Sequence, residues 1–354
     1  MMSRVEKIQN KMKEQNIEAI LITSPYNLRY ASGFTGSTGL SVVTQTKAFF
    51  VTDFRYTEQA SEQAVGFEVI QNTGPIYEEV KTIVEKEKIS VLSFEKDFVT
   101  YATFDQIRDL LPCELNPSSG LLESLREIKD QDEIETIQQA IRITENAFEE
   151  ILNFIKPGVT EIAVANKLDF LMREQGATSV SFDTIVASGK RSAMPHGVAS
   201  DKVIEEGDMI TIDFGCYYKG YVSDMTRTFS LGDPGEELKK IHQIVLDAQL
   251  KVNEAARPGI TGKELDAIAR DYITEKGYGD AFGHSTGHGI GLEVHENPGI
   301  NFRNDKPLVE GNVITNEPGI YIPGLGGVRI EDDLVITKDG SRNLMNVTKE
   351  LIQL

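Results

Sequence analysis

The sequence predicts two domains of different class: an α/β amino-terminal domain over residues 1–118 and an α+β carboxy-terminal domain over residues 119–354, the latter built by internal duplication. Three observations predict it. Apolar strand-like runs alternate with helical periodicity through the first part of the chain, which is the pattern of an α/β domain with a mixed or parallel sheet. That alternation breaks at Asn116-Pro117-Ser118-Ser119-Gly120, a cluster of turn-forming residues suited to a domain junction. Beyond it, KPGVTEIAVANKLDFLMREQG (Lys156–Gly176) matches RPGITGKELDAIARDYITEKG (Arg257–Gly277), and a longer helical stretch precedes each. A chain of 354 residues can bury two cores.

The elements follow in order. Residues 3–16 read as a helix, with Val5, Ile8 and Met12 at helical spacing. Ile17–Thr23 reads as a buried strand and Ser24-Pro25-Tyr26-Asn27 as a turn. The glycine-rich GFTGSTG (Gly33–Gly39) is a tight connection between strands, because no Gly-Lys-Ser/Thr follows to make a phosphate loop. Strands are expected at Leu40–Thr44, Ala48–Thr52, Phe67–Ile70 and Val91–Phe94, with helices at Tyr56–Ala64, Ile76–Lys88 and Tyr101–Leu111. No catalytic cluster stands out among them. In the second domain a long helix from Asp130 to about Ile155 carries the apolar stripe Ile134, Ile137, Ile141, Phe148 and Ile151. Lys156-Pro157-Gly158 ends it, and a second helix runs from Thr160-Glu161 to near Gly176. The later pair spans roughly Glu236–Ala256 and Thr261–Lys276. Strands at Asp183–Ala187, Asp208–Gly215, Tyr221–Leu231, Asn312–Asn316 and Gly327–Thr337 complete the domain, so helices should cover one side of an antiparallel sheet.

Composition narrows the function. A net charge of −19 disfavours nucleic acid and anionic membrane surfaces as partners and is compatible with binding cations. Two cysteines, Cys113 and Cys216, make neither a disulfide framework nor a metal-type spacing. The first helix is charged and lacks the apolar core of a signal peptide, and no apolar run reaches the roughly 18 residues of a membrane span. A cytoplasmic protein is expected.

The chemistry gathers around GHSTGHGIGLEVHE (Gly283–Glu296), which holds three of the five histidines. His284 and His288 are four apart, but four glycines argue against a helix and no Glu completes His-Glu-x-x-His. A glycine-rich loop running into a short strand brings His284, His288 and His295 close to something small. Upstream, MITIDFGCYYKGYVSDMTRTF reads as a hairpin turning near Lys219-Gly220, with Asp213 and Asp224 within a residue or two of opposite. Two facing carboxylates repel unless a cation or a shared proton intervenes. Downstream, Glu317 closes a strand at the Pro318-Gly319 turn, and GGVRIEDDLVIT places Arg329, Glu331 and Asp333 on one face. Alternation does not choose between Glu331 and its acidic neighbours. Arg329 reads equally as a partner that orients Glu331 or as an ordinary cross-strand ion pair. The loop SGKRSAMPHG ends in His196, whereas His242 sits in a helix with no neighbours of interest and reads as surface. Carboxylates Asp213, Asp224, Glu317 and Glu331 with the imidazole of His288 suit a pair of divalent ions, Mn²⁺ or Co²⁺ better than a thiolate-type zinc site.

The segments ASGKRSAMPHG, IDFGCYYKGYVSDMTRT, GHSTGHGIGLEVHENP, TNEPGIY and GGVRIED resemble those of the pita-bread proline-specific metallopeptidases, the family of Xaa-Pro dipeptidase (prolidase) and Xaa-Pro aminopeptidase (aminopeptidase P). The resemblance covers essentially the whole chain, including a creatinase-like amino-terminal domain. It implies that Asp213 chelates one of two divalent metals, that Asp224 and Glu331 bridge both, and that His288 and Glu317 complete the other. Mn²⁺ is the expected metal, with Co²⁺ or Zn²⁺ as alternatives. His196 and His295 match the family's substrate and transition-state histidines, His284 matches a further active-site histidine, and Glu317 doubles as the proton shuttle. The implied reaction is hydrolysis of the bond between an N-terminal residue and proline in short peptides, by a hydroxide bridging the metals. The implied assembly is a homodimer. Where relatives often carry an arginine after His-Glu-x-Pro, this chain has Gly299, and Arg303 takes that place if the loop folds back. The alternative is a binding protein that uses the same fold without catalysis.

Overall fold

The computed structural model describes residues Met2–Leu354. It divides into two compact units after Arg126, the second being Glu127–Leu354. The first unit is a mixed six-stranded sheet in the spatial order Glu68–Gln71, Ala48–Thr52, Leu40–Thr44, Ala19–Ile22, Val91–Glu95, Glu114–Ser118. The three strands from Ala19 to Thr52 pair antiparallel, and the outer strands join them in parallel. Phe49, Val51, Leu21, Leu92, Val80 and Ile107 make the core between this sheet and the helices Ile76–Glu87 and Tyr101–Leu110.

Two local readings need correction here. Ser24–Asn27 is not an isolated turn but the start of the helix Pro25–Ser32, with proline at its first position, where the missing N–H costs nothing. The segment read as a break holds the strand Glu114–Ser118 and then the helix Leu121–Arg126. Pro117 is tolerated in that strand because it lies on the edge of the sheet, paired on one side alone.

In the second unit the duplicated helix pairs are Gln131–Ile151 with Glu161–Glu174, and Glu236–Ala255 with Gly262–Glu275. Asp130 and Thr261 close capping boxes with Glu133 and Glu264, while Thr160 caps through its hydroxyl, so three of the four starts are visible as sequence signals. Each pair packs on its own core. Ile137, Phe148, Leu168, Ile212 and Phe229 belong to the first, and Ile241, Val245, Leu265, Ile314 and Ile320 to the second. Every strand pairing in this unit is antiparallel, as expected, but the strands do not form one sheet. They divide into one five-stranded, two three-stranded and one two-stranded arrangement. A register shift between Gly287 and Gly289 and the Pro318 turn interrupt the ladders beside the site. The hairpin turns at Lys219 and Gly220 with φ of 47° and 83°, the left-handed pair that a two-residue hairpin needs. Among the described residues no helix is long and apolar enough to cross a membrane.

His242 is the clear misreading on the second pair. It is 2% exposed, and its Nε2 lies 3.2 Å from the carbonyl oxygen of Thr228, to which the neutral ring donates. Burial holds its pKa down at about 4, against a carbonyl contact that favours the charged form. The folded-state pKa is therefore depressed, and the stability it carries is present above the unfolded value near 6.5 and lost as pH falls toward 4. Urea titrations of wild type and His242→Gln between neutral pH and pH 4 should show the wild type losing about 3 kcal/mol more than the variant. Parallel losses in both proteins would place the acid sensitivity elsewhere.

Candidate active site

The site is assembled from strand ends and turns around the glycine-rich segment. His288 lies in the short strand Gly287–Gly289 because both flanking residues allow neighbouring backbone to come close. A Cβ on Gly287 would fall 2.0 Å from the carbonyl oxygen of Thr315, and one on Gly289 would fall 2.2 Å from that of Asn297. Any side chain there would push the imidazole out of place. The backbone N–H of His288 donates to Thr315 Oγ1 at 3.0 Å, and Thr315 Oγ1 in turn donates to Glu317 Oε1 at 3.2 Å. Nδ1 of His288 donates to the carbonyl oxygen of Gly289 at 3.0 Å. That contact orients the ring and turns Nε2 toward Glu317 Oε1 at 3.3 Å and Asp224 Oδ2 at 3.7 Å.

The loop itself is held from the helix Gly262–Glu275. Asp266 Oδ1 accepts from the backbone N–H of Thr286 at 3.0 Å and from its hydroxyl at 2.8 Å. Arg270 clasps both oxygens of Asp266 at 2.8 and 2.9 Å and donates to the carbonyl oxygens of Phe282 and His284. Sequence reasoning missed this pair. The i,i+4 spacing of Asp266 and Arg270 was visible, but such a pair is ordinarily a solvated surface contact of small consequence.

The carboxylates come from both sides of the hairpin and from the later strands. Asp213 is the last residue but one of the strand Met209–Phe214 and stands across from Thr226 in the strand Met225–Ser230, which Asp224 immediately precedes. Arg329 donates to Asp213 Oδ2 at 2.6 Å, to Tyr321 Oη at 2.6 Å and to Thr226 Oγ1 at 3.1 Å. Thr226 Oγ1 then donates to Glu331 Oε2 at 2.6 Å. Of the two readings of Arg329, the cross-strand ion pair is made directly, with Asp213, while Glu331 is reached only through the hydroxyl of Thr226. Tyr321 Oη, accepting from Arg329, donates to His284 Nε2 at 2.8 Å, while His284 Nδ1 donates to the carbonyl oxygen of Ser285. Both nitrogens of His284 are occupied, and burial keeps the ring neutral by lowering its pKa.

Which acidic residue after Ile330 faces the site is decided by the fold. Glu331 lines the cavity. Asp332 turns away into a buried cluster with Arg227 at 2.8 Å and Lys349 at 2.6 Å, and these cations lower its pKa against the effect of burial. Asp333 is buried off the cavity wall and its pKa is raised, chiefly by burial.

These groups face a cavity of about 540 Å³. Asp213, Asp224, Glu317, Glu331, His284, His288 and Arg329 line it. His196 and His295 line it as well, the ring of His295 lying 4.3 Å centroid to centroid from that of His288. Phe182, Ile185, Pro195, Val198 and Val294 supply an apolar side that the sequence did not single out. Arg303 does not line the cavity: it is exposed, with its guanidinium 5.0 Å from the ring centroid of Phe302.

The donor set fits a divalent cation. Ligand atoms of Asp224, His288 and Glu331 lie within 4.8 Å of one another. Burial first, then the charges of Glu331, Asp213 and Glu317, push the carboxyl of Asp224 well above its ordinary range. Burial and the charges of Glu317 and Asp213 do the same to Glu331. Burial would raise Glu317 too, but the hydrogen bond and charge of His288 win and hold it at about 2. Oδ1 of Asp213 is buried without a hydrogen-bond partner. A cation among these oxygens would relieve the repulsion and satisfy that orphaned atom.

The raised groups fix the sign of a test. Asp224 and Glu331 ionise at higher pH folded than unfolded, so without metal the fold loses stability as pH rises through their folded-state values. In chelator-treated protein at neutral pH, Asp224→Asn should raise Tm, by about 2–4 °C for each kcal/mol of repulsion relieved. The same variant should bind divalent metal more weakly by calorimetric titration. A lower Tm in metal-free protein would mean that repulsion does not dominate this cluster.

Comparison with known proteins agrees with the geometry. Residues 135–338 match metallopeptidase family M24, and residues 4–128 match the creatinase/prolidase N-terminal domain. The Xaa-Pro dipeptidase of Pyrococcus horikoshii is 41% identical over 355 residues, covering 99% of each chain. Among solved structures, the Xaa-Pro dipeptidase from Bacillus anthracis matches with a TM-score of 0.98 at 53% identity over 99% of both chains. The X-Pro aminopeptidase from Thermotoga maritima matches with a TM-score of 0.92 at 43% identity over the full length of both. The chain belongs to metallopeptidase family M24, with a creatinase-type amino-terminal domain ahead of a pita-bread hydrolase domain.

Proposed function

We propose that the protein is a two-metal exopeptidase that hydrolyses the bond between an N-terminal residue and proline. The observation that carries the reading is the cluster of Asp224, Glu331 and His288 in a cavity that is also lined by apolar residues. The Xaa-Pro specificities named for similar proteins of equal length support it. Asp213, Asp224, His288, Glu317 and Glu331 would hold two divalent ions, for which Mn²⁺ suits an oxygen-rich set with one imidazole best. Bound there, the ions would supply Lewis acidity, acidifying a water to near neutrality and polarising the scissile carbonyl. A cytoplasmic homodimer belongs to the same reading.

The chain's own groups then have distinct tasks. Arg329 and Thr226 keep Asp213 and Glu331 from rotating, and Thr315 does so for Glu317. Glu317, which lines the cavity, would take a proton at its Oε and pass it to the departing proline nitrogen. That nitrogen bears no hydrogen in the substrate, so the site need not accept one. His295 and His196 donate N–H to the oxygen that gains charge as the carbonyl becomes tetrahedral. Burial and the neighbouring His288 lower the pKa of His295, so it serves as a neutral donor. Phe182, Ile185, Val198 and Val294 give the substrate's apolar parts a dry surface.

Metal analysis of the purified protein with hydrolysis of Xaa-Pro peptides tests the whole reading: a metal-free protein that cleaves none of them is a binding module. His295→Ala should lower kcat on the order of 10²-fold and leave metal content unchanged. Loss of a metal ion with the variant would make His295 a ligand.

Substrate length follows from the cations at the site. Arg329 is the one Lys or Arg among the described residues lining the cavity, and it is committed to Asp213, Tyr321 and Thr226. A site restricted to dipeptides needs a cation against the free carboxylate, a contact worth ~1.5–3 kcal/mol. Ala-Pro and Ala-Pro-Ala should therefore be cleaved with comparable kcat/KM, and Arg303→Ala should change neither. Refusal of the tripeptide, with selective loss of Ala-Pro cleavage in the Arg303 variant, would make the enzyme a strict dipeptidase that uses Arg303.

A further inference from the structure

Glu161 is the first residue of the helix Glu161–Glu174. A carboxylate there favours the positive end of the helix, which is ordinarily its whole role. Its surroundings show more. The side chain is fully buried and reaches across to the segment Ser188–Ser200, which carries His196. Oε1 accepts from the backbone N–H and the hydroxyl of Ser188, each at 2.8 Å. Oε2 accepts from the backbone N–H of Ser200 at 3.1 Å, from its hydroxyl at 2.6 Å and from the guanidinium of Arg191. Arg191 also donates to the carbonyl oxygen of Val198 at 3.0 Å, two residues past His196. Lys202 completes the arrangement by donating to the hydroxyl of Ser188 at 2.9 Å. One carboxylate thus ties both feet of a loop and the guanidinium within it.

His196 lies within that loop, between Arg191 and Ser200. It is exposed at the cavity edge, and among the described residues no hydrogen bond holds its ring. Its position depends on the loop backbone, which Glu161 fastens at Ser188 and Ser200, alongside a bridge between Val198 and Ile185 and the Ala199 N–H that donates to the carbonyl oxygen of Thr184 at 3.3 Å. We infer that Glu161 is a positioning residue for His196, keeping its imidazole where the reacting carbonyl oxygen will lie. The inference rests on the role given to His196 in the proposed function. All five donors point hydrogens at Glu161, so the carboxylate acts purely as an acceptor. In Glu161→Gln the amide would set its own hydrogens against an N–H at one foot of the loop, whichever way it turned. The change removes little volume and leaves every group of the carboxylate cluster in place.

The test is a double-mutant cycle on the metal-loaded enzyme with Ala-Pro-Ala, with metal content read in parallel. Glu161→Gln should lower kcat by about 10- to 100-fold, the scale expected when a preorganised group shifts by up to an ångström, with metal content unchanged. In the His196→Ala background the same substitution should slow turnover no further, to within about twofold. Ser200→Ala removes one bond of the clamp and should show the same dependence on His196 with a smaller loss, which keeps the test readable if Glu161→Gln does not fold. Equal slowing in both backgrounds, loss of metal, or a lower Tm with unchanged turnover would each overturn the inference. If His196→Ala alone turns over like wild type while other parts of the site respond as expected, the role of His196 fails and the inference falls with it. Loss of turnover on His196→Ala with no effect of Glu161→Gln would sink the clamp and leave the proposed function standing.

Discussion

Four carboxylates, Asp213, Asp224, Glu317 and Glu331, line one cavity, three of them buried, and the surrounding structure is arranged around that repulsion. Three of the four charges have different answers. Asp213 has Arg329, Glu331 has the hydroxyl of Thr226, and Glu317 has His288 and Thr315. The answers are incomplete, since the pKa values of Asp224 and Glu331 stay raised and Asp213 keeps an orphaned oxygen. An incompletely neutralised, preorganised set of oxygens is what a metal site requires, because the protein must hold ligands close together before the cation arrives. The burial that offsets this cost comes from the two apolar cores beneath the helix pairs.

The duplication has a structural consequence beyond symmetry of helices. From each pair, the second helix sends a buried carboxylate to a loop that carries histidine to the cavity. Glu161 reaches the Ser188–Ser200 segment with His196, and Asp266 reaches Thr286, between His284 and His288. The two carboxylates do not occupy equivalent positions. In the alignment of the repeats Glu161 corresponds to Gly262, and Asp266 to Ala165, about one helical turn further on. Residues one turn apart project from the same face, so either position can hold the loop above it. Buried hydrogen-bonded carboxylates make effective fasteners because leaving any of their donors unpaired is costly.

Much of this was legible in the sequence, and the misreadings have specific causes. The helix starts at Asp130, Thr160 and Thr261 rest on capping chemistry within a few residues, and the glycines around His288 mark backbone contacts that tolerate no side chain. His242 was misread because its partner, the carbonyl of Thr228, belongs to a strand rather than to its own helix. Pro25 was read as a turn residue although proline serves equally at the first position of a helix. The apolar side of the cavity went unnoticed because Phe182, Ile185, Val198 and Val294 come from separate segments and look like ordinary core residues in each.

The sequence by itself determined the element types, the repeat and the residue types able to bind metal, because these depend on periodicity and on chemistry carried within short segments. Only the tertiary structure decided which neighbours those residues meet. Alternation put Arg329, Glu331 and Asp333 on one face, and Arg329 and Glu331 do both line the cavity, but it could not say which of the acidic residues reaches the cavity itself. Arg329 reaches Asp213, Glu331 enters the cavity, and Asp332 turns to Arg227 and Lys349. Arg303 stays outside, lying on Phe302. These choices rest on contacts between segments far apart in the chain, where the free energy of burying a charge depends on which partner the fold delivers and not on its neighbours in sequence.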